Sequence, residues 1–259
     1  MNNSNNAIWI AYTTIVRKEI LRFSRIWVQT IVPPVITTVL YFIIFGNLIG
    51  KQIGDMDGFQ YMDFIMPGLI MMAIITNSYA NVVSSFYGSK FAKHIEEMLV
   101  SPTPNVIILL GFVSGGIARG LIVGLIVTLT TFFFTDIHIS HPIIVILVAF
   151  LTAFLFSLAG FINGVYAKSF DDISIIPTFI LTPLTYLGGI FYSIQLLPPF
   201  WQSVSLANPI LYMINSFRYG FLGITDIDLS VAVGVIFVFI IVLFSISLYL
   251  LNKGIGIRT

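Results

Sequence analysis

The sequence has no cysteine and very little charge. Of its 259 residues, 12 are Lys or Arg and 11 are Asp or Glu, so charged residues make up 9% of the chain, against about 25% in a typical soluble protein. So few charges cannot cover the surface of a soluble protein of this length, which excludes that class. The absence of cysteine excludes a disulfide framework, a thiolate metal site and a cysteine nucleophile.

Apolar and aromatic side chains are abundant instead. The strongly apolar residue types make up 58% of the chain, with 24 Phe and 11 Tyr, a composition that also excludes intrinsic disorder. The net charge of +1 provides no field that would attract nucleic acid. The class that fits is an all-α polytopic membrane protein, in contact with lipid over most of its surface.

Runs without formal charge divide the chain into six predicted membrane spans. A helix needs about 20 predominantly apolar residues to cross about 30 Å of hydrocarbon. The predicted spans are 26–50, 64–86, 113–135, 143–166, 174–192 and 229–251. Together they indicate one membrane domain over residues 1–259.

The distribution of Lys and Arg predicts the orientation of the chain, because basic residues are enriched in cytoplasmic loops. One set of loops and termini contains Arg17, Lys18, Arg22, Arg25, Lys90, Lys93, Lys168, Lys253 and Arg258. The other set contains only Lys51 and Arg218. We therefore expect both termini to be cytoplasmic.

Residues 7–25 predict an amphipathic helix that lies at the membrane surface rather than crossing it. The apolar face comprises Trp9, Thr13, Val16, Ile20, Phe23 and Trp27. The opposite face carries Lys18, Arg22 and Arg25. We expect the apolar face to contact acyl chains and the basic face to contact anionic head groups. An ordinary cytosolic extension of the first span is the alternative.

Residues 88–101 predict a short helix between the second and third spans. Phe91, Ile95 and Met98 share one face, and charged residues surround the rest. The segment is too short and too charged to cross the membrane, so we expect it to present a surface to the cytoplasm. A plain solvated linker is the alternative.

The third span carries small residues at a spacing that favours helix packing. Gly116, Gly120 and Gly124 recur every four residues, which lets two helix backbones approach closely. Arg119 lies among them, and we expect its guanidinium to reach the cytoplasmic interface. An intramembrane arginine with a functional role is the alternative.

No pattern in the chain indicates a catalytic, metal or nucleotide site. The segment Gly46–Lys51 lacks the spacing of a phosphate loop, and Asp136, His138 and His141 are interpreted as a polar turn rather than metal ligands. The predicted spans contain no acidic residue, which disfavours a proton-coupled carrier. The chain is therefore predicted to have no enzyme activity and no metal of its own.

The most specific motifs lie in residues 171–223. In order, they are Thr182-Pro183-Leu-Thr-Tyr-Leu-Gly188-Gly189-Ile-Phe-Tyr192, Leu197-Pro198-Pro-Phe-Trp201, Asn208-Pro209 and Arg218. Apolar, proline-broken backbone at membrane depth is tolerated only where protein or water satisfies it. Residues 193–225 therefore predict two short re-entrant helices on the external side.

With these motifs in this order, the chain resembles the ABC-2 type membrane subunits of ATP-driven exporters, and within that family the bacterial YadH-like and NodJ-like permeases. The resemblance covers nearly the whole chain, although Gly189 stands where many members carry Ser. It implies a permease in the bacterial inner membrane, paired with a second copy of itself and with two ATP-binding subunits. ATP and Mg²⁺ would be held by those subunits, and this chain would bind no cofactor.

The resemblance also implies roles for individual residues. The helix over 88–101 would be a coupling helix, with ATPase contacts at Lys90, Lys93, Glu96, Glu97, Met98, Leu99, Asp171 and Asp172. The outer gate would include Pro183, Gly188, Gly189, Pro198, Trp201, Asn208, Pro209 and Arg218. The cargo would be lipid-linked, polysaccharide or drug-like. An ATP-independent secondary carrier or channel is the alternative function.

Overall fold

The structure is a computed structural model, and it describes residues 2–135 and 139–256. The helices are α1 (Asn2–Arg25), α2 (Trp27–Tyr41), α3 (Gly50–Ile53), α4 (Tyr61–Phe91), α5 (His94–Val100), α6 (Asn105–Thr131), α7 (Pro142–Tyr166), α8 (Asp172–Ile176), α9 (Thr182–Leu187), α10 (Pro199–Leu206), α11 (Pro209–Leu222) and α12 (Leu229–Lys253). π-Helical turns lie at Phe42–Ile49 and Pro177–Leu181, a 3-10 turn at Ile194–Leu196, and an antiparallel hairpin at β1 (Asp55–Met56) and β2 (Phe59–Gln60). Asp136, His138 and Arg258 of the sequence analysis lie outside the described residues.

Five of the described helices are long and apolar enough to cross a membrane: Trp27–Gly46, α4, α6, α7 and α12. The all-α polytopic class is thereby confirmed. Two of these helices are longer than predicted, since α4 continues to Phe91 and α6 already begins at Asn105. The predicted bounds of the spans follow the ends of the apolar runs. A helix, however, continues through polar residues as long as its backbone hydrogen bonds are made.

The segment predicted as the fifth span, 174–192, forms a shorter helix. It runs from Asp172 to Leu187 through α8, a π-helical turn and α9, which contain five, five and six residues. Pro177 and Pro183 interrupt its regular hydrogen bonding. After it the chain turns at Gly189, whose φ of 79° lies in the left-handed region that glycine adopts without steric cost. Five long helices and this shorter one thus occupy the place of six long spans.

The centre of the bundle is α4. Most of its residues are buried, and it packs against α6 and α7. The approach to α7 is so close that a Cβ on Gly160 would lie 2.5 Å from the Tyr79 backbone O. In contrast, only 17% of the apolar stretch of α2 and of α12 is buried within the chain. These two helices therefore lie at the periphery.

Glycines also bring α6 against α4. A Cβ on Gly116 would lie 2.5 Å from Val82 Cγ2, and one on Gly124 would lie 2.5 Å from Ile74 Cγ1. Gly120, between them on the same face, is equally enclosed. Both distances are shorter than a van der Waals contact, so a larger residue would force the helices apart.

Two short helices, α10 and α11, occupy the region 193–225. Most of α11 is buried, in contact with α4, α7 and α12. At the turn between α10 and α11, Asn208 Nδ2 donates to Leu184 O of α9 at 2.6 Å. At the other end of α11, a Cβ on Gly220 would lie 2.7 Å from Val145 Cγ2 in the first turn of α7. The helix α11 therefore begins beside α9 and ends beside the first turn of α7.

Replacing Gly116 by Val is expected to destabilise the bundle by about 1–3 kcal/mol, because the added methyl groups would overlap Val82 of α4 and Ser157 of α7. Gly234→Val in α12 is the matched control, since a Cβ on Gly234 meets no atom of the described residues within 4 Å. The measurement is the midpoint of thermal unfolding in the same detergent. Equal midpoints for the two variants would contradict close packing at Gly116.

Candidate functional site

One end of the bundle carries α5. The helix α4 ends at Phe91, and Lys93 adopts a left-handed conformation with φ 61° before α5 begins at His94. A left-handed residue breaks a right-handed helix. The single helix predicted over 88–101 is therefore divided, because its first residues complete α4 and only the later ones form α5.

The helix α5 is anchored on one side and exposed on the other. Ile95 is fully buried, and Met98 and Leu99 are half-buried against the core. Glu96 and Glu97 are exposed. Two carboxylates are thus presented at the surface by a helix that an apolar side chain holds in place.

Lys90 lies beneath this surface rather than on it. Its Nζ donates to the backbone O atoms of Val165 and Ala167, at 2.7 and 2.8 Å. These carbonyls are at the C-terminal end of α7, where a helix leaves carbonyl groups unpaired and a cation is favourable. Lys90 therefore links α4 to α7 and supports the position of α5.

The loop that precedes α8 is held by a capping box. Ser169 Oγ accepts from Asp172 N at 3.1 Å, while Asp172 Oδ2 accepts from Lys168 N at 2.8 Å and from Ser169 N at 3.1 Å. These hydrogen bonds, that from Lys168 N first, lower the pKa of Asp172. Asp172 thereby starts α8, and Asp171 is exposed beside it.

An aromatic cleft lies between α5 and this loop. The ring of Phe170 packs edge-on against Tyr87 and Phe91, with centroids 4.9 and 5.3 Å apart, yet Phe91 is 67% exposed. The cavity measures about 520 Å³ and is lined by Tyr87, Lys90, Phe91, Lys93, Glu96, Val165, Tyr166, Ala167, Lys168 and Gly256. Exposed aromatic rings among charged groups are typical of protein-binding surfaces. The sequence analysis placed Phe91 on a helix face but did not relate it to Phe170, which folding brings to it.

A buried polar cluster joins α1 to α4, and the sequence analysis did not select it. Glu19 is fully buried; its Oε1 accepts from Ser85 Oγ at 2.6 Å and its Oε2 from Arg22 Nε at 3.3 Å. Arg22 Nη2 also donates to the backbone O and to Oδ1 of Asn81, at 2.8 and 2.7 Å. The cluster attaches α1 to the central helix through a paired, hydrogen-bonded charge.

This cluster corrects the expectation for the basic face of α1. Arg22 is directed into the protein, and Lys18 Nζ donates to Ser89 Oγ at 3.3 Å. Arg25 is exposed, as expected for a contact with head groups. Helical periodicity alone could not distinguish these residues, because the acceptors of Lys18 and Arg22 lie 71 and 59 residues further along the chain.

Arg119 of α6 contacts α4. Its Nη2 donates at 3.3 Å to Oδ1 of Asn77, a buried side chain. Its Nε has no hydrogen-bond partner within the described part of the chain. The sequence did not predict this contact with a polar side chain inside the bundle, and reach of the guanidinium to the cytoplasmic interface stays a prediction.

The opposite end of the bundle is organised by Arg218 of α11. This side chain is 1% exposed, its Nη2 donates to Gly189 O at 2.5 Å, and its Cζ lies 3.9 Å from the centre of the Phe64 ring. The next residue of the turn, Ile190, packs directly on Gly68 of α4. Arg218 therefore connects α11, α4 and the turn that follows α9.

The other residues predicted for an outer gate lie in α9, α10, α11 and the turns that connect these helices. Asn208 caps α11, since its Oδ1 accepts from Ile210 N at 3.0 Å. A Cβ on Gly188 would lie 2.9 Å from Ile214 Cδ1 of α11. The remaining members are Pro183 in the first turn of α9, Pro198 immediately before α10, Trp201 exposed on α10, and Pro209, the first residue of α11.

Two further polar residues at this end were not selected from the sequence. Asp226 Oδ1 accepts from Ser193 Oγ at 2.7 Å, and Asp226 N donates to Asn215 Oδ1 at 3.1 Å. The signal available for Asn215 was an amide within an otherwise apolar segment. His141 stacks against Tyr219 at 4.8 Å between ring centroids, consistent with its interpretation as part of a turn.

These features define a multi-pass membrane protein, with a short helix exposed at one end and the short helices α10 and α11 at the other. The chain belongs to the ABC-2 type transporter family, whose profile matches residues 10–222. This family membership agrees with the resemblance found in residues 171–223 of the sequence.

Relatives of this chain are found in several bacteria. It is 61% identical over 251 residues to the inner membrane transport permease YadH of Escherichia coli strain K12, covering 97% of this chain and 98% of that protein. It is 21% identical over 246 residues to nodulation protein J of Neorhizobium galegae, covering 95% of this chain and 93% of that protein. The nodulation protein J of Rhizobium leguminosarum bv. viciae is 22% identical, with 95% and 94% coverage.

Replacing Glu19 by Ala is expected to destabilise the protein by about 3 kcal/mol, because Arg22 and Ser85 would lose a buried acceptor. Glu97→Ala removes the same side chain from an exposed position of α5 and is expected to change stability by less than about 0.5 kcal/mol. Thermal unfolding of both purified variants measures the difference. Equal midpoints of thermal unfolding for Glu19→Ala and Glu97→Ala would contradict the role of the buried polar cluster in joining α1 to α4.

Proposed function

We propose that this chain is the membrane-spanning permease subunit of an ATP-driven exporter, and that a separate subunit hydrolyses the ATP. The observation that carries the proposal is membership of the ABC-2 type transporter family over residues 10–222. The 61% identity to an inner membrane transport permease supports it. The proposed cargo is a lipid-linked, polysaccharide or drug-like molecule that leaves the cytoplasm.

The proposed docking site for the ATP-binding subunit is α5 with the aromatic cleft beside it. Ile95 fixes the helix, and Glu96 and Glu97 are available for basic residues of a partner. Phe91 and Phe170 offer apolar surface next to those charges. Lys90 and Asp172 would act indirectly in this arrangement, by holding the elements on which the docking surface is built.

Two copies of the chain and two ATP-binding subunits are proposed for the assembly. The groove between α2 and α4, of about 220 Å³, is lined by Tyr41 and three threonines, of which Thr37 is exposed, Thr76 is half-buried and Thr38 is buried. Hydroxyl groups at membrane depth are better covered by protein or water than by acyl chains. This groove therefore supports a second copy opposite it, with the export path between the two copies.

In the proposed mechanism, ATP draws the two ATP-binding subunits together and the docked α5 helices follow. The glycine-packed core of α4, α6 and α7 would move as one body, because interlocked helices transmit displacement. ATP shifts the equilibrium only to the extent that it binds the two states with different affinity. The α10–α11 pair and the turn after α9 would form the external gate.

The proposed location is the bacterial inner membrane, with both termini and α5 on the cytoplasmic side. The excess of Lys and Arg in the loops at the α5 end supports this orientation. A relative named as an inner membrane permease supports the location.

Single cysteines are expected to report this orientation, since the chain has no cysteine of its own. Leu196→Cys, at a residue 68% exposed near α10, should react with a membrane-impermeant maleimide in intact cells. Val100→Cys, at a residue 87% exposed on α5, should react only after the membrane is permeabilised. The reverse pattern would overturn the orientation.

Glu97→Lys is expected to weaken association with a co-expressed ATP-binding subunit by about tenfold, because it reverses a charge on the proposed docking surface. Asp55→Lys makes the same charge change at an exposed residue near the opposite end and should leave association unchanged. Co-purification and ATP-dependent transport in proteoliposomes measure both effects. Equal association of the two variants would contradict docking at α5, and transport that follows an ion gradient without any ATPase would contradict the exporter.

A further inference from the structure

The guanidinium of Arg218 uses only part of its hydrogen-bonding capacity. Its Nη2 donates to Gly189 O, whereas Nε and Nη1 are buried without an acceptor among the described residues. A guanidinium carries five N–H donors, and a buried charge with few partners is costly. If Arg218 served only to hold α11 in place, we would expect acceptors for the N–H groups of its Nε and Nη1.

The environment of this guanidinium includes a cavity of about 80 Å³. Its walls include Asp57, Gln195, Asn215, Thr225 and Asp226. Two of these residues are carboxylates, and the side chains of Gln195, Asn215 and Thr225 are also polar. Charged acceptors and free space are therefore next to unpaired donors of a buried cation.

Both carboxylates have acceptor capacity left. Asp226 accepts from Ser193 Oγ at 2.7 Å and from Ile194 N at 3.3 Å, whereas an ionised carboxylate has about four acceptor sites. Asp57 lies in the tight turn between β1 and β2, is exposed, and has a positive φ of 51°. Each could accept from a guanidinium that moved toward the cavity.

We propose that Arg218 is a two-position latch at this end of the bundle. In the described position it binds Gly189 O and the Phe64 ring, and so holds the turn after α9 against α4. In the second position the guanidinium crosses the cavity, pairs with Asp226 and Asp57, and frees the turn. The proposal rests on the proposed function only in identifying this end with the external gate.

The two positions offer partners of comparable strength, which a two-state element requires. The first supplies one hydrogen bond to a backbone carbonyl and a cation–π contact at 3.9 Å. The second supplies charge-assisted hydrogen bonds to carboxylates, one of which is exposed and therefore weakened by solvent. Moving the guanidinium exchanges one set of partners for the other and does not leave it without any.

Labelling of a cysteine at position 190 tests the latch. Ile190 is fully buried, and it packs on Gly68 of α4. In the Ile190→Cys protein, a small methanethiosulfonate reagent should therefore react only when the turn separates from α4. The rate is measured on the purified membrane subunit in proteoliposomes without ATP.

Two additional substitutions should change this rate in opposite directions. Phe64→Leu removes the ring that favours the first position, and labelling is expected to become about tenfold faster. Asp57→Asn removes a charge that favours the second position, and labelling is expected to become about threefold slower. Asp55→Asn, on the same hairpin but outside the cavity lining, is the control and should not change the rate.

The slower labelling of Asp57→Asn is the decisive outcome, since a purely structural Arg218 predicts that no substitution tightens the turn. Faster or unchanged labelling of Asp57→Asn, or no labelling in any variant, would overturn the latch. Arg218 is retained throughout, so the test does not depend on the folding of a protein without it. The labelling experiment contains no ATP-binding subunit, so its outcome does not depend on docking at α5. The latch proposal can therefore fail while the docking proposal holds, and the docking proposal can fail while the latch proposal holds.

Discussion

The close approach of α6 and α7 to α4 is the constraint on which the rest of the structure depends. Between helices in hydrocarbon there is little hydrophobic driving force, so association relies on packing and hydrogen bonds. Gly116 and Gly160 permit that packing at distances that no larger residue would allow. The result is one enclosed helix of 31 residues, about 45 Å long, which reaches from Phe64 beneath Arg218 to Phe91 beside α5.

Because α4 is enclosed, it can carry polar side chains to which other elements attach. Asn81 and Ser85 bind the Glu19–Arg22 pair of α1, and Asn77 binds Arg119 of α6. Such contacts specify where an element attaches, since a buried charge tolerates few alternative positions. The same helix thus organises the core, the attachment of α1 and, through Phe64, the position of α11.

Sequence reasoning located the long helices well and their detailed ends poorly. Uncharged runs identify hydrocarbon-spanning segments because charge is expelled from lipid, but they do not reveal where a backbone changes direction. The division of 88–101 depends on the left-handed turn at Lys93, and the shortening of 174–192 depends on a turn at Gly189. The turn at Gly189 is held by Arg218 of α11, and the turn at Lys93 follows Lys90, which donates to Val165 O at the end of α7.

The sequence by itself determined the membrane class, the approximate positions of five long helices and, through the motifs of residues 171–223, the transporter family. Amino-acid composition and the order of residues within each segment are sufficient to predict these features, because every segment that lies in hydrocarbon must itself be apolar. Only the tertiary structure decided which charged residues are turned inward. Arg22, Arg119 and Arg218 lie in three different sequence contexts, and each finds an acceptor on another element that none of these contexts predicts. A buried cation binds to groups that only folding brings to it, and no local pattern in the sequence identifies those groups.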